Sequence, residues 1–92
     1  MPAPHVQTAD EKFLAALAAD GVPIHHPNAA VNKGRMICTV FDQGGTLAAV
    51  IADQFKFDAA HPQEAQNYTE QQLLWFYTDA IRVYCPHYEG HS

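Results

Sequence analysis

Gly21-Val22-Pro23, Gly44-Gly45 and the polar, proline-containing stretch 58–67 cut this chain into pieces, each about as long as one helix. Between the cuts, apolar residues recur every three or four positions instead of alternating, which is the spacing of a helix face rather than of a half-buried strand. A chain punctuated in this way buries its apolar atoms by packing short helices side by side. Its 92 residues, 48% apolar and 16% charged, can support one small core and no second domain.

Local signals place four helices. Thr8 and Glu11 have capping-box spacing ahead of Phe13, Leu14 and Leu17, predicting a first helix over residues 9–20 closed by Gly21. Pro23 prevents its continuation, and Ile24-His25-His26-Pro27 reads as a connector with Ile24 turned inward. Asn28 is the expected cap of a second helix reaching about Gln43, with Ile37, Val40 and Phe41 on its buried side and Met36 or Val31 flanking them. Gly34 inside it either lets another backbone approach closely, or is a tolerated defect or the boundary between a short first turn and the main helix. Thr46 caps a third helix carrying Leu47, Val50, Ile51 and Phe55 as far as Phe57, and residues 58–67 read as a loop with a short turn beginning at Pro62. The β-rich run Cys38-Thr39-Val40-Phe41 lacks clean alternation, so helix is preferred there. Thr69 and Gln72 repeat the capping-box spacing before Leu73, Phe76, Tyr77, Ala80, Ile81 and Tyr84, predicting a fourth helix over 70–84 that stops at Cys85-Pro86. Residues 1–8 form a flexible N-terminal segment, 9–86 the domain, and 87–92 a tail that is mobile unless it folds over the bundle.

Charge removes some functions. Five basic against ten acidic residues give a formal charge of −5, and Lys12, Lys33, Arg35, Lys56 and Arg82 do not cluster, so nucleic acid is not an expected partner. No apolar run is long enough for a transmembrane segment, and Gly44-Gly45 lacks the wider fingerprint of a phosphate cradle. Cys38 and Cys85 are either two buried thiols or a disulfide; a disulfide would mean export to an oxidising compartment and about 4 kcal/mol of loop-closure stabilisation. The start Met1-Pro2-Ala3-Pro4-His5 has no basic segment followed by an apolar run, and reads as a mature terminus from which a signal peptide has been removed.

Several of these pieces occur together in an order that resembles a known family. Asp10-Glu11-Lys12-Phe13 and Leu17 precede Gly21-Val22, then come Gly34 and Cys38, then Gly44-Gly45-Thr46, and finally Ala80-Ile81-Arg82-Val83-Tyr84-Cys85-Pro86. Over residues 10–86 the chain resembles the domain of unknown function 732 family of small exported actinobacterial, mycobacterial-type proteins. The resemblance implies an exported, mostly helical domain with a disulfide between Cys38 and Cys85. It carries over no catalytic residues and no ligand set.

Candidate chemistry is sparse. His25 and His26, with His87 and His91, are zinc-ligand types, but nothing brings the two segments together, and the metal expectation is none. Haem would need a pocket and a His or Tyr axial ligand; the aromatics Trp75, Phe76, Tyr77 and Tyr84 are more simply a packed helix face, so no cofactor is expected. A Cys-His nucleophile would need a reduced cysteine, and the carboxylates are scattered, with capping and solvation as their default roles. No catalytic residue is assigned. Trp75 lies off the Leu73-Tyr77-Ile81 stripe and is the candidate recognition patch.

The expectation is an all-α bundle of about four helices closed by Cys38-Cys85, exported to the cell envelope or beyond. Its expected function is non-enzymatic interaction with a protein or envelope component, and the alternative is a small-molecule, haem or metal-binding domain.

Overall fold

The computed structural model describes residues 7–63 and 68–90. Four helices, α1 (Ala9–Ala19), α2 (Pro27–Asp42), α3 (Leu47–Ala60) and α4 (Glu70–Tyr84), are followed by a single 3-10 turn, Pro86–Tyr88, and the described residues contain no strand. Both capping boxes are closed: Thr8 Oγ1 accepts from the Glu11 amide at 3.2 Å, and Thr69 Oγ1 from the Gln72 amide at 3.1 Å. Thr46 caps α3 by accepting from the Ala49 amide at 3.2 Å. Gly21, at φ 77°, takes the left-handed conformation that ends α1 without a Cβ clash.

Two boundaries differ from the sequence reading. α2 starts at Pro27, with His26 rather than Asn28 at the cap position and no side chain capping it. The fixed φ of proline is already helical and its missing N–H is not needed at a first position, so Pro27 opens the helix ahead of Asn28. α3 continues through Asp58, Ala59 and Ala60 into the stretch read as loop, and stops at His61, which is held out of the helical region by the following Pro62. The expected turn at Pro62 is present; residues 64–67 of that predicted loop lie outside the described residues.

α4 is the centre of the bundle and packs against α1, α2, α3 and the 3-10 turn. Phe13 and Leu17 of α1, Val31, Ile37 and Phe41 of α2, and Leu73, Phe76, Tyr77, Ala80 and Ile81 of α4 form the core. Val31, not Met36, flanks the buried side of α2, and Met36 is exposed. Gly34 is a close-approach position: a Cβ there would lie 2.7 Å from two ring carbons of Phe13 and 3.4 Å from the Ala80 Cβ. Phe13 cannot yield, because its ring is fully buried and stands edge-on to Phe76 at 5.3 Å and to Tyr84 at 5.4 Å.

The disulfide joins Cys38 of α2 to Cys85 at the end of α4, with the Cα atoms 6.0 Å apart and a separation of 47 positions in sequence. Beyond it the chain folds back over the bundle. Tyr88 stacks on Phe41 at 5.3 Å and its hydroxyl donates to Asp42. Asp10 ties three helices together: Arg35 Nη2 donates to both of its carboxylate oxygens, at 2.7 and 2.9 Å, and the Tyr84 hydroxyl donates at 2.7 Å. These contacts hold the Asp10 carboxyl below its ordinary range, with the Tyr84 hydrogen bond the largest cause and Arg35 next.

One acid lies inside. Asp79 is 4% exposed, its Oδ2 has no hydrogen-bond donor, and the Asp20 carboxyl at the end of α1 faces it. Two ionised carboxylates have only acceptors to offer each other, so the pairing favours the protonated form. Burial first, and then Asp20, push the Asp79 carboxyl from 3.8 to about 7, with Arg82 opposing weakly. The folded chain therefore keeps a proton that the unfolded chain releases, and stability falls as pH rises from about 4 to about 7. Asp10 acts in the opposite sense, its contribution being lost as pH drops through the lowered value.

Three outcomes are expected from denaturant unfolding. Gly34→Ala destabilises by about 1–2 kcal/mol, because displacing the Phe13 ring outweighs the gain in helix propensity. Cys38→Ser/Cys85→Ser lowers stability by about 4 kcal/mol, the closure term for a loop of this length. The wild type is more stable at pH 5 than at pH 8, on the order of 2–4 kcal/mol, and Asp79→Asn removes most of that difference. An equal difference in Asp79→Asn would assign the pH effect elsewhere.

Candidate functional site

α3 follows its Thr46 cap with Leu47, Ile51 and Phe55 along one face, but none of its described residues is fully buried. The register of α4 that sends Leu73 and Tyr77 to the core turns Leu74 outward by about 100°. Between the two helices lies an open groove of about 440 Å³ lined by Leu47, Ile51, Ala52, Phe55 and Leu74, with Glu70 as its charged member. Glu70 sits in the first turn of α4, where the helix dipole favours a carboxylate. Phe55 is 40% and Leu74 38% exposed, so the groove presents apolar carbon directly to solvent.

Trp75 is 39% exposed, beside Leu74 in sequence but outside the groove lining. The sequence reading passed over the groove residues. The available signal was that Leu74, like Trp75, lies off the core stripe of α4, and that α3 has an apolar face of its own.

The described histidines, His25, His26, His61 and His87, are exposed and, the His25-His26 pair aside, lie apart. His25 and His26 line a small cavity with Lys33 at the start of α2. His61 stacks on Phe57 at 4.4 Å, and the His87 ring lies 4.3 Å from that of Tyr88. His91 lies outside the described residues. Among the described residues no three His, Cys, Asp or Glu side chains converge to hold a metal ion. Phe76 and Tyr77 are core residues packed edge-on at 5.2 Å, and Tyr84 is bound to Asp10, so three of the four aromatics weighed for haem contribute to structure.

Both cysteines are in the disulfide, so neither supplies a thiolate. The carboxylates are less scattered than the sequence suggested, since Asp20 and Asp79 meet across α1 and α4. Asp79 is buried and lines neither the groove nor the cavity at His25 and His26. Among the described residues no helix is long and apolar enough to cross a membrane.

The uncharacterized protein Rv1271c of Mycobacterium tuberculosis (strain ATCC 25618 / H37Rv) is 28% identical over 81 residues, which cover 88% of this chain and 65% of that protein. Mb1323c of Mycobacterium bovis, likewise uncharacterized, is 31% identical over 81 residues, 88% of this chain and 66% of its own length. The chain thus spans just under two thirds of the length of these relatives. No solved structure matches. The family model described as protein of unknown function (DUF732) matches residues 9–87, the whole of the helical bundle, and the chain belongs to that family.

Proposed function

We propose that this is a non-enzymatic interaction domain that works in the cell envelope or outside the cell and engages a protein or envelope component through the α3–α4 groove. The observation that carries the reading is the incomplete cover of one face of α3, where Leu47 and Ile51 are only half-buried against the core and Phe55 is exposed. Such a face, joined to Leu74 and continued around α4 by Trp75, is the kind of apolar surface that marks an interaction site. The disulfide supports an oxidising compartment, since such bonds persist outside the cytoplasm. The sealed cysteines and the buried Asp79 support a role without covalent or acid-base chemistry.

A second reading is binding of a small apolar molecule, favoured by a groove volume that falls within the ~300–1,000 Å³ of ligand pockets. Native mass spectrometry of the protein recovered without reductant from the exported fraction separates the two. A retained macromolecular partner, lost in Phe55→Asp, is the expected result, and an added mass of ligand size released on denaturation would favour the second reading. Recovery of wild type and Phe55→Asp alike as bare chains would overturn both. Two free thiols, or absence from the exported fraction, would overturn the compartment.

A further inference from the structure

A second, smaller site lies away from the groove, where the connector after α1 meets the start of α2. Ile24 and His26 of the connector, Ala30 and Lys33 of α2, Tyr68, and Phe76 of α4 line a cavity of about 60 Å³. A water needs about 10–15 Å³ of such space, so the cavity has room for a small molecule. Its shape is fixed from two sides. Tyr68 donates its hydroxyl to the Pro23 carbonyl and so latches the connector, and Phe76 is anchored in the core against Phe13.

The lining has two characters. Ile24, Ala30 and Phe76 offer carbon, whereas Lys33 and His26 offer nitrogen donors. Lys33 differs from the two arginines: Arg35 is bound to Asp10 and Arg82 to Glu89, but the Lys33 ammonium has no hydrogen-bonded anion among the described residues. It is half-buried, and that burial lowers its proton affinity, opposed only by the charge of Asp58 on α3. A half-buried ammonium without a paired anion is costly to keep desolvated, and an anion in the cavity would relieve it. The backbone adds to the positive field, because α2 begins without a side-chain cap and without an acidic residue in its first turn.

We infer that this cavity binds a short-chain monocarboxylate, its carboxylate on Lys33 and the α2 end and its alkyl stub against Ile24 and Phe76. The chemistry is specific in three ways. A bare inorganic anion leaves the carbon wall uncovered, a neutral alcohol leaves Lys33 unpaired, and a long chain exceeds the space. The inference is independent of the groove, which lies between α3 and α4.

The test uses the oxidised full chain, labelled with nitrogen-15, and sodium propionate as the probe at constant ionic strength. Saturable shifts centred on the Ala29, Ala30 and Lys33 amides are expected, with chloride and 1-propanol giving none. Lys33→Met should weaken binding at least fivefold while Lys33→Arg retains most of it. Equal shifts with chloride, or with 1-propanol, would overturn the inference on the wild type alone. Propionate binding to a folded Lys33→Met as tight as to the wild type would overturn the role of Lys33.

Discussion

The contact of the Phe13 ring with Gly34 sets the distance between α1 and α2, and most of the remaining structure depends on that distance. No side chain stands between ring and backbone, so α1 lies close enough to α2 for Asp10 to reach Arg35. The same placement leaves Phe13 wedged against Phe76 and Tyr84 of α4, which orients the Tyr84 hydroxyl toward Asp10. A small core of this kind has little apolar area to spare, and close packing at one point governs whether its neighbours are filled or hollow.

The covalent and polar ties reinforce that arrangement at its margins. The disulfide fixes the end of α4 to the middle of α2, and Tyr88 returns the chain to the far end of α2 through Phe41 and Asp42. Electrostatics divide by location. At the surface Asp10 has cationic and phenolic donors, whereas in the interior burial and the facing Asp20 push the Asp79 carboxyl up to about 7. The interior of the bundle thus favours mild acidity, and its outer Asp10 tie resists strong acidity.

Much of the fold was legible in the sequence because helix starts are local chemistry. Thr8, Thr46 and Thr69 announce their helices within three residues, and all three cap as read. The end of α3 was misplaced because Asp58, Ala59 and Ala60 carry no stop signal, and the stop belongs to Pro62. Gly34 could be narrowed only to two readings, since its meaning lies in Phe13, 21 positions away. The meeting of Asp20 and Asp79 was invisible for the same reason, because nothing near either residue in sequence marks the other. The groove was missed on different grounds: periodicity shows that α3 has an apolar face but not whether anything covers it. The pairing of Cys38 with Cys85 came from family resemblance, and the geometry agrees with it.

The disulfide also changes what α3 is mechanically. α3 lies wholly inside the covalent ring closed by Cys38 and Cys85, and its main packing neighbour is α4. The fully buried residues come mainly from α1, α2 and α4, and Leu47, Val50 and Ile51 of α3 pack against them half-buried, so α3 covers the core without a fully buried residue of its own. A helix in that position is bounded at both ends, since the chain leads from it into α2 and into α4 and the disulfide holds those two helices to each other. Oxidation of the two cysteines therefore limits how far the ends of the α3 segment can separate when the bundle opens, and shortens the chain that must be reordered on closing.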